Sequence, residues 1–281
     1  RAGHVQHREP DVSGSRRWAD LPGPELASRL TSESILVLPT GAIEHHGPHL
    51  PLATDLVMAE VLAERIVDAA VAAGHDAWLL PALGATKSDE HAWAPGTLWL
   101  SAETFAAVIT DLGRAIATTR ARTVLFYNGH GGNIAPLNIA LRELRRQFGL
   151  RTFLDGVRVP AGPDEQGFGI HGGHGETSLL MHLRPDLVHP SAFERAVPEG
   201  IADFERIGFA GSPVQFGWLS DDFERAGVST GGEWMRGVVG DPTTATAEIG
   251  AALAASLVAE GVSTIAEIAR WPIGARDGEE S

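Results

Sequence analysis

The sequence predicts an α/β fold: a single domain with a mainly parallel β-sheet flanked by helices on both faces. Two observations lead there. From about residue 34, short apolar runs alternate with longer segments of helical periodicity. Repeated β-α-β units of this length place strands side by side in parallel, with the connecting helices covering the sheet. The chain of 281 residues suits one large α/β domain, and it contains no internal repeat and no low-complexity linker.

The elements follow in order. Residues 1–17 are polar and charged and read as a flexible N-terminal arm, and residues 18–281 read as the single domain. Ser34 to Leu38 is a buried strand. Asp55 to Ala73 is a helix, because Glu60, Glu64 and Asp68 recur every fourth residue as a solvent face while Val57, Val61, Ile66 and Val67 lie on apolar faces. Gly74 suits its C-terminal stop. Ala77 to Leu80 is a second strand. Ser101 caps a helix running to about Thr118, with Glu103 in its first turn. Thr123 to Tyr127 is the third strand, and Pro136 suits the first turn of a helix to Gln147. Arg151 to Leu154 is a fourth strand. Thr177 to Leu183 is a short helix that ends before Pro185. Residues 190–240 are glycine-rich and irregular, and Thr243 to Ala259 is a last, alanine-rich helix.

Composition excludes several classes. There is no cysteine, so disulfides, thiolate metal sites and cysteine nucleophiles are ruled out. The formal net charge of -14 repels phosphate backbones, and nucleic acid is not an expected partner. The sequence shows no apolar run near the roughly 20 residues of a membrane span and no basic membrane anchor, so no membrane partner is expected. The arm has no apolar core of a secretory signal. These readings point to a cytoplasmic protein acting on a small molecule or a peptide.

Four segments concentrate ligand-type side chains. Gly41 to Asp55 packs Glu44, His45, His46, His49 and Asp55 into one stretch just after the first strand. In an extended segment Glu44 and His46 project to the same side, as a shared metal cluster requires. Asp55 stands at the first turn of the next helix, where a carboxylate either bridges two ions or caps the helix. Asn128-Gly129-His130-Gly131-Gly132-Asn133 follows the third strand, so His130 falls at the carboxyl ends of the strands, where parallel sheets bind ligands. A glycine turn with an exposed histidine is the alternative there. The run from His171 through Gly172, Gly173, His174 and Gly175 to Glu176 places two histidines and a carboxylate before a helix. Glu176 suits either a ligand or a first-turn carboxylate favoured by the helix dipole. An unperturbed histidine titrates near pH ~6.5, which suits His171 to proton transfer. Lys87 to His91, after the second strand, is either a solvated loop or part of the pocket wall. Glu90, His91, Gly131 and His174 are the expected pocket residues.

Together these blocks resemble the creatininase (creatinine amidohydrolase) family over roughly residues 33 to 190. The resemblance implies a two-metal site of zinc or manganese, with iron a third candidate, and homo-oligomers, often hexamers. It implies Glu44, Asp55 and His130 as ligands of one ion, His46 and Asp55 as ligands of the other, and His171 in proton transfer. Two departures stand out. A glutamate two residues after the His130 position is a ligand in creatininase, and this chain has Gly132; Glu176 is the candidate replacement. Creatininase also places tryptophans shortly before the His171 block, and residues 151–170 contain none.

The expected activity is therefore dinuclear, metal-dependent hydrolysis of a C–N bond in an amide or cyclic amide of a small molecule. In it, water activated between two ions roughly 3.5–4 Å apart attacks a carbonyl, and His171 and Glu176 are the expected catalytic residues. The family also includes a peptidase of the mycofactocin precursor and hydrolases of oxidised cyclitols, and both are alternatives on the same site. The run from Gly240 to Thr246 looks like a similar run in that peptidase. A non-catalytic metal-binding protein is the remaining reading; it would keep the ligands without an open pocket. No Rossmann glycine pattern or P-loop is present, which argues against nucleotide chemistry.

Overall fold

The computed structural model describes residues 14–201, 203–204, 206–209 and 212–275. A four-stranded parallel sheet runs through its centre in the order β2-β1-β3-β4, with β1 at Ile35–Thr40, β2 at Ala77–Leu79, β3 at Thr123–Asn128 and β4 at Arg151–Gly156. Every residue of β1 and β3 is buried, as expected when both faces are covered. Side chains alternate between the faces. Ile35, Val37, Leu125 and Tyr127 pack against α2 (Thr54–Ala72), α5 (His174–Leu183) and α7 (Ala247–Arg270). Leu36, Leu38, Trp78, Val124 and Phe126 pack against α1 (Gly23–Arg29), α3 (Ala102–Ala117) and α4 (Ile134–Phe148). The expected three-layer α/β architecture is the one found.

Differences from the sequence reading have local causes. β1 continues two residues past Leu38, through Pro39. Proline lacks the ladder N–H and reads as a strand end, but Pro39 falls beyond Leu79, the last residue of β2. α5 starts at His174 rather than Thr177, which puts Glu176 inside its first turn. α7 starts later than Thr243, because residues 242–244 form a separate turn capped by Asp241. Thr246 then caps α7 through the N–H of Ile249 at 3.2 Å. α7 also runs to Arg270, well past Ala259, because Gly261 packs directly on Ile66 of α2 instead of ending the helix. By length and composition α7 could cross a bilayer, contrary to the reading that no such run exists. Its buried residues, Gly250, Ala254, Leu257, Gly261, Ile265 and Ile268, lie along one stripe, and α7 packs against α2 and α5 as a core helix does.

Residues 1–13 of the arm, with His4 and His7, lie outside the described residues. Arg16 and Arg17 are docked instead of loose: the Leu79 N–H donates to the Arg16 carbonyl at 2.9 Å, Arg16 pairs with Asp76 at 2.6 Å, and Arg17 pairs with Glu64. The irregular stretch holds two short strands, β5 (Ile207–Gly208) and β6 (Val214–Gln215), and a short helix, α6 (Asp222–Ala226).

Candidate metal centre

The loops that leave the carboxyl ends of β1, β2 and β3 converge with the loop entering α5. Two asparagines hold them in place. The Thr40 hydroxyl donates to Asn128 Oδ1 at 3.0 Å, and Asn128 Nδ2 donates to the His130 carbonyl at 2.6 Å. Asn133 Nδ2 donates to the Gly41 carbonyl at 3.0 Å, and its Oδ1 accepts the Lys87 N–H at 3.2 Å. Gly129 permits close packing at this point: a Cβ there would lie 2.5 Å from the Asp55 carbonyl oxygen.

The convergence gathers buried ligand-type side chains. One oxygen of Asp55 lies 3.2 Å from His46 Nε2, and the other lies 3.0 Å from His130 Nδ1. Glu44 Oε2 is 3.4 Å from His130 Nε2, and Glu44 Oε1 is 3.5 Å from His91 Nε2 and 3.7 Å from His171 Nδ1. Glu176 Oε2 is 3.8 Å from His46 Nε2. Three overlapping groups bring donor atoms within 4.8 Å of one another: Glu44, His46 and His171; Glu44, Glu90 and His130; and His46, Asp55 and Glu176. His46 Nε2, Asp55 Oδ2 and both ring nitrogens of His91 are buried with no hydrogen-bond partner among the described residues. Buried polar atoms without partners are costly. His46 Nε2 faces Asp55 Oδ1, Asp55 Oδ2 faces His130 Nδ1 and His91 Nε2 faces Glu44 Oε1, and hard oxygen plus imidazole donors suit a divalent cation.

Electrostatics give the same reading. Burial pushes the Glu44 carboxyl up to about 8 and that of Glu176 up to about 7. Burial opposes charge on His46, yet Asp55, Glu176 and Glu44 outweigh it and raise the imidazole to about 10. His130 is raised in the same way, with Glu44 and Asp55 outweighing its burial. Burial would raise Asp55, but the positive charge drawn onto His46 and His130 holds it well below the usual carboxylate range. Crowded carboxylates pull protons onto two imidazoles, so the cluster has a strong demand for positive charge. His91 and His171 behave oppositely. Burial first, and then the charge of His46, lowers His91 to about 3 and His171 well below its ordinary value.

Each expected residue now has a place. Asp55 does not cap α2; its side chain faces the cluster. Glu176 lies in the first turn of α5, where Oε2 accepts the Gly172 N–H at 2.7 Å and faces His46 Nε2 at 3.8 Å. Glu44, Asp55, Glu90, His91, His130, Gly131, His171 and Glu176 line a cavity of about 460 Å³. His174 was expected in this lining and is not part of it. As the first residue of α5, its ring turns to the Thr244 hydroxyl, 2.7 Å away. His45 lies outside the cluster, with Nε2 donating to the Arg236 carbonyl at 2.9 Å. A larger cavity, about 760 Å³ between β4 and α7, holds none of these residues.

Two features escaped the sequence reading. Ser88 donates to Glu44. Phe209, Phe216 and Trp218 from the irregular stretch form one wall of the cavity. The Trp218 ring meets those of His91 and His171 at 5.7 and 6.1 Å, so an aromatic wall exists although residues 151–170 supply no tryptophan. Spacing within the motifs gave no signal for a residue this far along the chain.

The Creatininase family model, described as creatinine amidohydrolase, matches residues 19–265. The mycofactocin precursor peptide peptidase of Mycobacterium tuberculosis is 34% identical over 256 residues, covering 89% of this chain and 90% of that protein. The creatinine amidohydrolase of Pseudomonas putida is 31% identical over 193 residues, covering 60% and 72%. A solved manganese form of creatininase superposes with a TM-score of 0.67 at 25% identity, covering 92% of this chain and 100% of that one. The chain belongs to the creatininase family.

Proposed function

We propose that this creatininase-family hydrolase cleaves an amide C–N bond at a centre of two divalent ions, and that its substrate is a peptide rather than a cyclic amide. The convergence of Glu44, His46, Asp55, His130 and Glu176 beside an open cavity carries the first part. These five residues would hold the ions, with Asp55 facing both histidines. Solved creatininases include a manganese form and a Zn-Zn form, and either metal suits this donor set. Bound ions supply Lewis-acid polarisation of a carbonyl and activation of water.

The chain's own residues do the rest. The Nε2–H of His171 donates to the His45 carbonyl at 2.6 Å, which leaves the Nδ1 lone pair facing the cluster. Burial first, and then the charge of His46, keeps this ring neutral, so its Nδ1 is unprotonated at rest. His171 thus takes a proton at Nδ1 and returns it to the leaving nitrogen. Glu176 holds the Gly172 amide and keeps the loop carrying His171 against the site. Trp218 packs beside His171 and limits water access there.

The peptide reading is favoured by coverage: the mycobacterial peptidase matches about nine-tenths of both chains, whereas the creatinine amidohydrolase matches 60% of this one. A panel of the mycofactocin precursor peptide, short unrelated peptides, creatinine and an oxidised cyclitol, assayed with the manganese- and zinc-loaded protein, tests it. Peptide cleavage abolished by chelator is expected. Turnover of creatinine alone would return the substrate to the cyclic amides.

A further inference from the structure

Position 132 opens onto a crowded space. A Cβ built on Gly132 would lie 2.1 Å from Glu90 Oε1, 2.4 Å from His130 Nε2 and 2.8 Å from the Lys87 carbonyl oxygen. No side chain fits there while Glu90 holds its position. The Glu90 carboxylate is itself buried and fixed at both ends, with Oε2 accepting from Lys87 Nζ at 2.7 Å and Oε1 lying 3.2 Å from His130 Nε2.

The two nitrogens of His130 meet different surroundings. Nε2 faces the Lys87 carbonyl at 2.9 Å, Glu90 at 3.2 Å and Glu44 at 3.4 Å. A backbone carbonyl accepts hydrogen bonds and cannot donate one, so the Nε2 beside it carries a proton. Nδ1 faces Asp55 Oδ2 at 3.0 Å, an atom with no aligned hydrogen-bond partner among the described residues. Histidines that bind metal commonly donate their other N–H to a carbonyl or carboxylate, which fixes the tautomer and the ring plane.

We infer that Glu90, with the Lys87 carbonyl, is a positioning residue that holds His130 with its proton on Nε2 and Nδ1 as the coordinating nitrogen, and that Gly132 is the space this carboxylate requires. Glu90 thereby acts through His130 and not as a ligand. The inference rests on the two-ion reading given above.

The test uses the full chain labelled with 15N-histidine and loaded with Zn²⁺, and two-bond 1H–15N correlation spectra identify the protonated nitrogen of each ring. The expected result is His130 with Nε2 protonated and Nδ1 shifted by the metal. In parallel, Zn²⁺ affinity is measured by chelator competition for wild type, Glu90→Ala, Glu90→Gln and Gly132→Ala, with the fold of each checked by circular dichroism. Glu90→Ala and Gly132→Ala should each weaken Zn²⁺ binding about 10- to 100-fold, and Glu90→Gln, which keeps an acceptor for Nε2–H, should recover most of the loss. A His130 deprotonated at Nε2 and metal-shifted there would make Glu90 a co-ligand and overturn the inference. Wild-type affinity in Glu90→Ala would overturn it as well. If the wild-type protein bound no Zn²⁺ at all, the two-ion reading itself would fail, and that outcome is distinct from either of the others.

Discussion

His171 donates its Nε2–H to the carbonyl of His45 at 2.6 Å, so a loop after β1 sets the orientation of a ring carried by the loop before α5. The Nδ1 left free points toward Glu44 Oε1, 3.7 Å away. On the proposed function, that Nδ1 relays a proton and does not ligate. Replacing His171 with Gln should lower kcat by roughly 10²- to 10⁴-fold, the usual scale of a lost general base, while bound metal stays unchanged. Metal content measured on the same preparation checks this. Release of an ion from the variant would make His171 a ligand.

Trp218 presents an indole N–H that is buried without a partner among the described residues, on the wall of the cavity. This N–H is expected to meet an acceptor on the substrate. Trp218→Phe keeps a ring and should raise KM several-fold, on the order of 1 kcal/mol for one hydrogen bond, with kcat little changed. Steady-state kinetics on the best substrate of the panel measure it. An unaltered KM would mean that the indole serves only as a wall.

His49 is fully buried; its Nε2 donates to the Gly172 carbonyl at 2.9 Å, and its ring packs edge-on to Phe193. Burial lowers its pKa to about 4, although the Gly172 bond partly opposes this. The unfolded chain therefore takes up a proton near pH ~6.5 that the folded chain refuses until about pH 4. Stability contributed by neutral His49 is complete above pH ~6.5 and is lost as the pH falls through that window, by about 3 kcal/mol. His49→Gln should flatten this part of the pH–stability curve in urea titrations of the metal-free protein. A curve of wild-type steepness between pH 6.5 and 4 would contradict the assignment.

Glu165 is a buried carboxylate outside the cavity lining, and it ties three loops together. It accepts the N–H groups of His174 at 2.8 Å, Asp241 at 2.5 Å and Gly162. The His174 amide opens α5, so this carboxylate also sits at a helix N-terminus, where negative charge is favoured. Glu165→Ala leaves three buried donors unpaired and should cost about 3–5 kcal/mol. Glu165→Gln should recover part of that. Equilibrium denaturation decides, and a loss below about 1 kcal/mol would show that the loops hold without it.

Much of this was legible in the chain. The parallel sheet follows from runs such as Thr123 to Tyr127, whose uniform apolarity matches strands covered on both faces. The convergence of these ligand-type side chains was legible because Glu44, His46, Asp55 and His130 all lie in segments that follow strand ends, and a parallel sheet brings those ends together. What escaped depends on contacts between distant segments. His174 sits in the same histidine-rich motif as His171, yet helix geometry turns its ring away, to Thr244. Trp218 lies in a stretch with no periodicity, so nothing local announced that it meets His91 and His171. Glu90 reads as part of a charged loop until Gly132 is seen to leave room for it. α7 continues past Ala259 through Gly261, a residue of low helix propensity that is a crossing point against Ile66.

The central claim is the two-ion centre shared by Asp55, whose oxygens face His46 at 3.2 Å and His130 at 3.0 Å. The most direct measurement is the number of divalent ions per chain, by inductively coupled plasma mass spectrometry after loading with Mn²⁺ or Zn²⁺ and exhaustive dialysis, for wild type and Asp55→Ala. About two ions per chain are expected for wild type, as at two-metal sites generally, and at most one for the variant, whose hydrolysis should be lost with it. A variant that kept both ions and full turnover, or a wild type that retained none, would contradict the account.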